Sequence, residues 1–242
     1  MLILESYRRL FVKNKLFKIM VIILTCGISY SASANLVLDA TRYIYNSEDN
    51  SISIKVSNDS DKKLYGGQVW VESTDIADSR PILVASPSFF KVEPGRKQIV
   101  RIINVADHLP DDRESLFWMS LQEIPPQIKG TGISMAIRTK VKVLYRPEGI
   151  AKGRLNAESK MIIERQGGRL YLKNSTPYIF AIGGLIDQSG DYIDLDTKQI
   201  RILSVFSPED KIEVTDFNIV GGMALDDYGN TYEFKLSFDG DY

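Results

Sequence analysis

Between Ile133 and Tyr145 the chain reads Ile-Ser-Met-Ala-Ile-Arg-Thr-Lys-Val-Lys-Val-Leu-Tyr, and every odd position except Thr139 is apolar or aromatic. Ser134, Arg138, Lys140 and Lys142 fill four of the six even positions. A period of two marks a strand with one dry and one wet face. At about 3.3 Å per residue the run predicts a strand of roughly 43 Å, where common strands span roughly 17–20 Å. So long a strand outruns the sheet that anchors it, and its surplus apolar row needs a second surface to cover it.

The same alternation fills most of the chain after Asn35. Leu36–Tyr45 and Ser51–Val56 flank the turn residues Asn46-Ser47-Glu48-Asp49-Asn50. Tyr65–Glu72, Lys97–Ile103 and Ser115–Ile124 follow, the last ending at Pro125-Pro126. After Tyr145-Arg146-Pro147 the segment 148–153, with two glycines, suits a hinge. The pattern then resumes in Ser159–Arg165, Arg169–Asn174, Tyr178–Ile186 and Tyr232–Phe238. No stretch shows helical periodicity or caps. Short strands at this spacing predict an all-β fold of two sandwiches, residues 35–147 and 154–242. Trp70 and Trp118, set among apolar strand residues, are expected in the core.

The first 34 residues read as an export leader. Arg8, Arg9, Lys13, Lys15 and Lys18 precede the apolar run 19–28, and Ala32-Ser33-Ala34 supplies a small-residue cleavage pattern. The apolar run is too short to span a bilayer comfortably, so no membrane insertion is expected once the leader is removed. Translation from Met20 would discard most of the positive charge, and the start, Met1 or Met20, stays open. The mature chain is expected to begin at Asn35. The only cysteine, Cys26, lies in the leader, which leaves neither a disulfide nor a thiol nucleophile.

The full chain has 30 basic and 31 acidic residues, and the leader removes five basic residues but only Glu5. An acidic mature chain argues against nucleic acid as a partner. His108, the only histidine, sits in the loop-like Asp107-His108-Leu109-Pro110 without other metal- or proton-handling residues near it in sequence. Phosphate loops, nucleophile elbows and zinc-protease motifs are missing. Neither an enzyme nor a cofactor is expected. Asn58-Asp59-Ser60 and Asn174-Ser175-Thr176 match a glycosylation tripeptide that arises too often by chance to count.

Several motifs together resemble the PapD-like periplasmic pilus chaperones. They are Thr41-Arg42, Glu93-Pro94-Gly95, Asp112–Trp118 followed by Leu121–Pro126, Thr139–Pro147, Asn174–Tyr178 and Asp226–Gly229. They occur in the family order from the first mature strand nearly to the C-terminus. The resemblance implies two immunoglobulin-like β-sandwich domains set in an L with an interdomain cleft. It implies a periplasmic protein that holds pilus or fimbrial subunits by donor-strand complementation and passes them to an outer-membrane usher. Self-association of the free protein through its apolar row is left open. By the family pattern Ile133, Met135 and Ile137 are the donor-strand side chains, and Arg42 and Lys142 grip the subunit's C-terminal carboxylate. Glu114, Arg146 and Asp227 match an interdomain ion-pair set, expected as exposed pairs that fix the domain angle and add little stability. Simple alternation puts Lys142 on the face opposite Ile133, Met135 and Ile137, so a twist or bulge is expected between them. The competing reading is a structural or adhesive pilus component. Such a protein would carry one sandwich with a donor extension, whereas here the first strand starts almost at the cleavage site.

Overall fold

A computed structural model describes residues 35–74, 80–127, 130–214 and 219–237. The predicted leader and the C-terminal residues 238–242 lie outside the described residues. The chain builds two hydrophobic cores in succession, each between two sheets.

In the first half, β1 (Leu36–Leu38), β3 (Ile52–Asn58), β5 (Leu83–Ser86) and β7 (Lys97–Asn104) form one sheet in the order β1-β3-β7-β5. The facing sheet has the order β2-β9-β8-β4-β6, from β2 (Arg42–Asn46), β4 (Tyr65–Ser73), β6 (Phe89–Val92), β8 (Ser115–Ile124) and β9 (Arg138–Arg146). Alternate residues of each strand point between the sheets, so Ile54, Val56, Val69, Val100, Ile102, Met119 and Val143 are fully buried. The alternating run Leu36–Tyr45 is not one strand. It crosses from the first sheet to the second at Asp39–Thr41, and only β2 lies beside β9.

The second half pairs β10 (Ile162–Gln166), β11 (Arg169–Lys173) and β13 (Lys211–Val214) in one sheet. Its other sheet contains β12 (Ile182–Asp187), β14 (Ile219–Leu225) and β15 (Thr231–Lys235). Leu172, Leu185, Phe206 and Ile219 centre this core. The predicted hinge contains a short helix, α1 (Glu148–Ala151), entered through Pro147. The Tyr178 hydroxyl donates to the Ile150 carbonyl at 2.6 Å, which ties α1 to the second half.

A second helix, α2 (Thr197–Ser204), corrects the expectation of no capped helix. The Asp196 side chain accepts from the Gln199 amide, and the Gln199 side chain accepts from the Asp196 amide. This reciprocal capping box satisfies two otherwise orphaned donors.

The two Asn-containing tripeptides have one structural role in both halves. Asn58 is buried and donates to the carbonyls of Lys63 and Val92, while its oxygen accepts from the Ser60 amide. Asn174, also buried, donates to the carbonyls of Tyr178 and Phe206, and its oxygen accepts from Thr176. Each amide knots a loop by satisfying backbone groups that would otherwise be orphaned in the core.

The long strand predicted over 133–145 is shorter and shifted. The β8–β9 ladder ends at Gln122↔Arg138, after which Pro125 and Pro126 carry the other strand away without ladder donors. Residues 131–137 therefore extend past the sheet, held at their base by the Glu123 amide donating to the Ile137 carbonyl at 2.8 Å.

Candidate functional site

The stretch before β9 exposes its apolar side chains to solvent. Ile133 is 91% exposed, Met135 is 74% exposed, and Ile137, nearer the tether, is half-buried. Within β9 the parity is strict: Val141 and Val143 enter the first core, whereas Arg138, Lys140 and Lys142 face outward. With no ladder over 131–137 and only the Ile137 carbonyl bonded to β8, the parity of β9 is not imposed on Ile133 and Met135. The conflict with Lys142 is thus met by an unpaired segment, and no bulge is needed.

β2 runs parallel to β9 and begins opposite Lys142, with Arg42↔Lys142 as the first pair. Upstream of that pair, Arg138–Val141 have a strand neighbour only on the β8 side among the described residues. An unpaired sheet edge continues into an exposed apolar row, which together form a template for an added strand.

Arg42 and Lys142 stand side by side at the end of that edge. Arg42 is 8% exposed, and its Nη1 donates to the Leu225 carbonyl at 3.4 Å. Its Nε is buried without a hydrogen-bond partner. The Lys142 ammonium donates to the Ser204 carbonyl at the C-terminus of α2, where it also meets the negative end of the helix dipole. Among the described residues neither cation makes an ion pair. Burial, and then the neighbouring Arg42, pull the Lys142 ammonium down to about 8. Burial also lowers the Arg42 guanidinium, against the raising pull of Asp227 and Asp226. Two adjacent, partly desolvated cations with an unused N–H suit a carboxylate, which would accept charge-assisted hydrogen bonds from both.

Next to this pair an ion network joins the two halves. Arg146 Nε donates to Glu114 Oε1 at 2.6 Å, and its two terminal nitrogens grip both Asp227 oxygens at 2.6 and 2.9 Å. Glu114 Oε2 accepts from the Ile179 amide at 2.7 Å. The side chains of Arg146 and Glu114 are only 6% and 0% exposed, so the expectation of exposed pairs is corrected. Burial counts against the ionised form of Asp227. The hydrogen bonds and charge of Arg146, aided by Arg154 and Arg42, nonetheless hold its carboxyl below the usual range. Arg154, absent from the sequence reading, extends the network to Glu158 at 2.8 Å and to Asp227 at 3.6 Å. Its signal was an Arg and a Glu four residues apart, a spacing too common to single out. Leu116, Leu144 and Ile179 close a small apolar seam beside these ions. The turn carrying Asp227 fits tightly: Gly229 has φ of +88°, and a Cβ there would lie 2.5 Å from Thr41 Oγ1, one residue from Arg42.

Trp70 and Trp118 are half-buried on the outer face of the first half's second sheet, not in its core. Arg138 lies over Trp70 at 4.6 Å and Lys140 over Trp118 at 5.3 Å, while Glu72 pairs with both cations at 3.2 and 3.3 Å. Even-numbered positions of β8 and β4 share the face of Lys142, so both rings face outward. His108 lies in a loop, with Arg80 Nη2 3.5 Å from its Nε2.

The pili and flagellar-assembly chaperone family, PapD N-terminal domain, matches residues 35–151. Two Escherichia coli proteins, chaperone protein ClpE and chaperone protein FaeE, are each 42% identical to this chain over 217 residues. Each match covers 89% of this chain, with 81% of ClpE and 83% of FaeE. The crystal structure of the E. coli chaperone DraB superposes with a TM-score of 0.66 at 26% identity, over 84% of this chain and 96% of that one.

Proposed function

This chain belongs to the PapD-like pilus-assembly chaperones, and we propose that it captures fimbrial subunits in the periplasm by lending them the edge of β9 and the apolar row before it. A subunit's C-terminal carboxylate binds between Arg42 and Lys142. Its last strand pairs with the free edge of Arg138–Val141 and continues along residues 133–137. Ile133, Met135 and Ile137 enter the groove that the subunit leaves open for a missing strand. The charged anchor fixes register, because one chain end held in place determines which side chain meets which pocket. The subunit is then handed to an outer-membrane usher.

The observation that supports this reading most is the junction of three features at one place. The β2–β9 ladder begins at Arg42↔Lys142, the edge upstream is unpaired, and the apolar side chains beyond it are solvent-exposed. Burying each of these side chains is worth roughly 1.5–3 kcal/mol before ordering costs. The reaction is binding without turnover, and no residue here is assigned to catalysis or to a cofactor. Two buried cores joined by a buried ion network support the chaperone reading over a one-sandwich pilus component.

Replacing Ile133 and Met135 together by Asp tests the donor role. Both side chains are exposed in the free protein, so the melting temperature is expected to stay within about 2 °C. Co-purification of co-expressed fimbrial subunit from periplasm is expected to fall at least tenfold. Undiminished yield would remove the donor assignment.

The anchor also carries a pH dependence. Because the folded-state Lys142 titrates near 8, below its ordinary value, the free protein loses this charge as pH rises through that point. Capture of a carboxylate is therefore expected to weaken from pH 7 to pH 9. A peptide synthesised from the subunit's last strand, with a free C-terminus, should lose affinity for the parent over this range and bind Lys142→Arg with a much flatter profile. Titration by fluorescence anisotropy at the two pH values reads this directly.

A further inference from the structure

Glu123, in β8, is 2% exposed, yet among the described residues it makes no ion pair. Among the described residues, every hydrogen bond to its side chain comes from the first two. Oε2 accepts from the amide of Asn35 at 3.0 Å and from that of Leu36 at 3.2 Å, and Oε1 accepts from Asn35 Nδ2 at 3.2 Å. Three neutral N–H donors hold this buried side chain, and all three lie within two residues at one point of the chain. A positive charge on the Asn35 nitrogen would strengthen a contact that the geometry already makes.

We propose that Glu123 is a receptor for the N-terminus created by leader removal, so that processing between Ala34 and Asn35 supplies the ammonium group that this carboxylate lacks. The step is hydrolysis by a leader peptidase. The Ala34–Asn35 amide bond breaks, water gives its hydroxyl to the Ala34 carbonyl carbon and a hydrogen to the Asn35 nitrogen. The new amine takes up one further proton at neutral pH, since an α-amino group ordinarily titrates at about 7.7–8.0. The part-buried hydrogen bond of 3.0 Å then becomes an ion pair at the same position. The position is specific to one bond, because a cut one residue away moves the charge by about 3.8 Å along the chain. The basic leader, its apolar run and Ala32-Ser33-Ala34 point to that same bond.

The clamp also reaches the subunit-binding stretch. The amide of Glu123 donates to the Ile137 carbonyl, so one residue holds the chain start through its side chain and the base of the exposed apolar row through its backbone.

The test compares Glu123→Gln in two forms of the protein. One is exported and processed in the periplasm, and the other is made in the cytoplasm with a methionine retained before Asn35. Intact mass of the exported protein is expected to place its first residue at Asn35, and any other start overturns the proposal. In the processed form the substitution is expected to lower the melting temperature by several degrees. In the extended form the same substitution should lower it by less than half as much. Equal losses in the two forms would show that Glu123 serves only neutral amides. If Glu123→Gln fails to accumulate, the unsubstituted protein decides: acetylating the Asn35 amine should destabilise it, and an unchanged melting temperature after acetylation overturns the proposal. None of these measurements involves a subunit, so their outcome is separate from that of the donor-strand reading.

Discussion

Arg42→Ala is expected to leave a folded protein that no longer captures subunits. Arg42 contributes one long hydrogen bond, to the Leu225 carbonyl, and its Nε is unpaired, so its removal sacrifices little within the chain. It also relieves the repulsion that adds to burial in depressing Lys142. The binding side loses much more. Charge-assisted hydrogen bonds contribute roughly 1.5–3 kcal/mol each, so two lost to one guanidinium correspond to about a hundredfold or greater fall in affinity. Circular dichroism and a melting temperature near that of the parent would show the intact fold. Yield of co-purified subunit, or affinity for a C-terminal peptide, would show the loss. Parental yield from a folded Arg42→Ala protein would refute the anchor, and an amidated peptide should bind the parent as weakly as the acid binds the variant.

Arg146→Ala is expected to be the most destabilising single change in the ion network. It leaves Glu114 buried with only the Ile179 amide and strips Asp227 of both its short hydrogen bonds. Breaking a buried pair by removing one partner costs about 3–5 kcal/mol, far above the value of an exposed pair. Because the network joins the two cores, the loss should appear as uncoupling. Calorimetry is expected to resolve two transitions where the parent gives one. Arg146→Lys should recover little, since a single ammonium cannot replace a planar fork that holds carboxylates on two sides. Acid should act in the same direction through Asp227, while burial raises the Glu114 carboxyl and gives it the opposite sign. Asp227 has its folded pKa held down, so its contribution is present above the ordinary carboxylate range and is lost as pH falls through the depressed value. A single transition in Arg146→Ala with unchanged midpoint would show that the seam of Leu116, Leu144 and Ile179 suffices alone.

Much of the fold is legible in the sequence because a sandwich strand carries its own signature. Val141 and Val143 alternate with Lys140 and Lys142, and the structure buries the first pair and turns the second outward. What alternation cannot report is where a ladder stops, since that depends on a partner strand. The row at Ile133–Ile137 continues the pattern of β9 but is bonded to β8 only at the Ile137 carbonyl, because Pro125 and Pro126 divert β8. Leu36–Tyr45 alternates across a sheet change for the same reason. The helix α2 was present in the letters as Asp196 followed three residues later by Gln199, but eight residues are too few to establish a helical period. The tryptophans misled because an aromatic ring on a strand fits either face, and only the cations opposite Trp70 and Trp118 settle which. Charges at the domain junction were visible as types, whereas their burial depends on contacts between residues as distant as Glu114 and Asp227.

β2 leaves the edge of β9 upstream of Arg42 free, and the proposed anchor sets the polarity of whatever occupies it. A guest held by its last residue at Arg42 and Lys142 and lying back along Ile133–Val141 must run in the direction of β9, collinear with β2. Parallel ladders are slightly weaker per residue than antiparallel ones. An antiparallel strand in the same groove would form the tighter joint. A parallel grip of this kind is one that an antiparallel strand can displace, downhill and without a nucleotide.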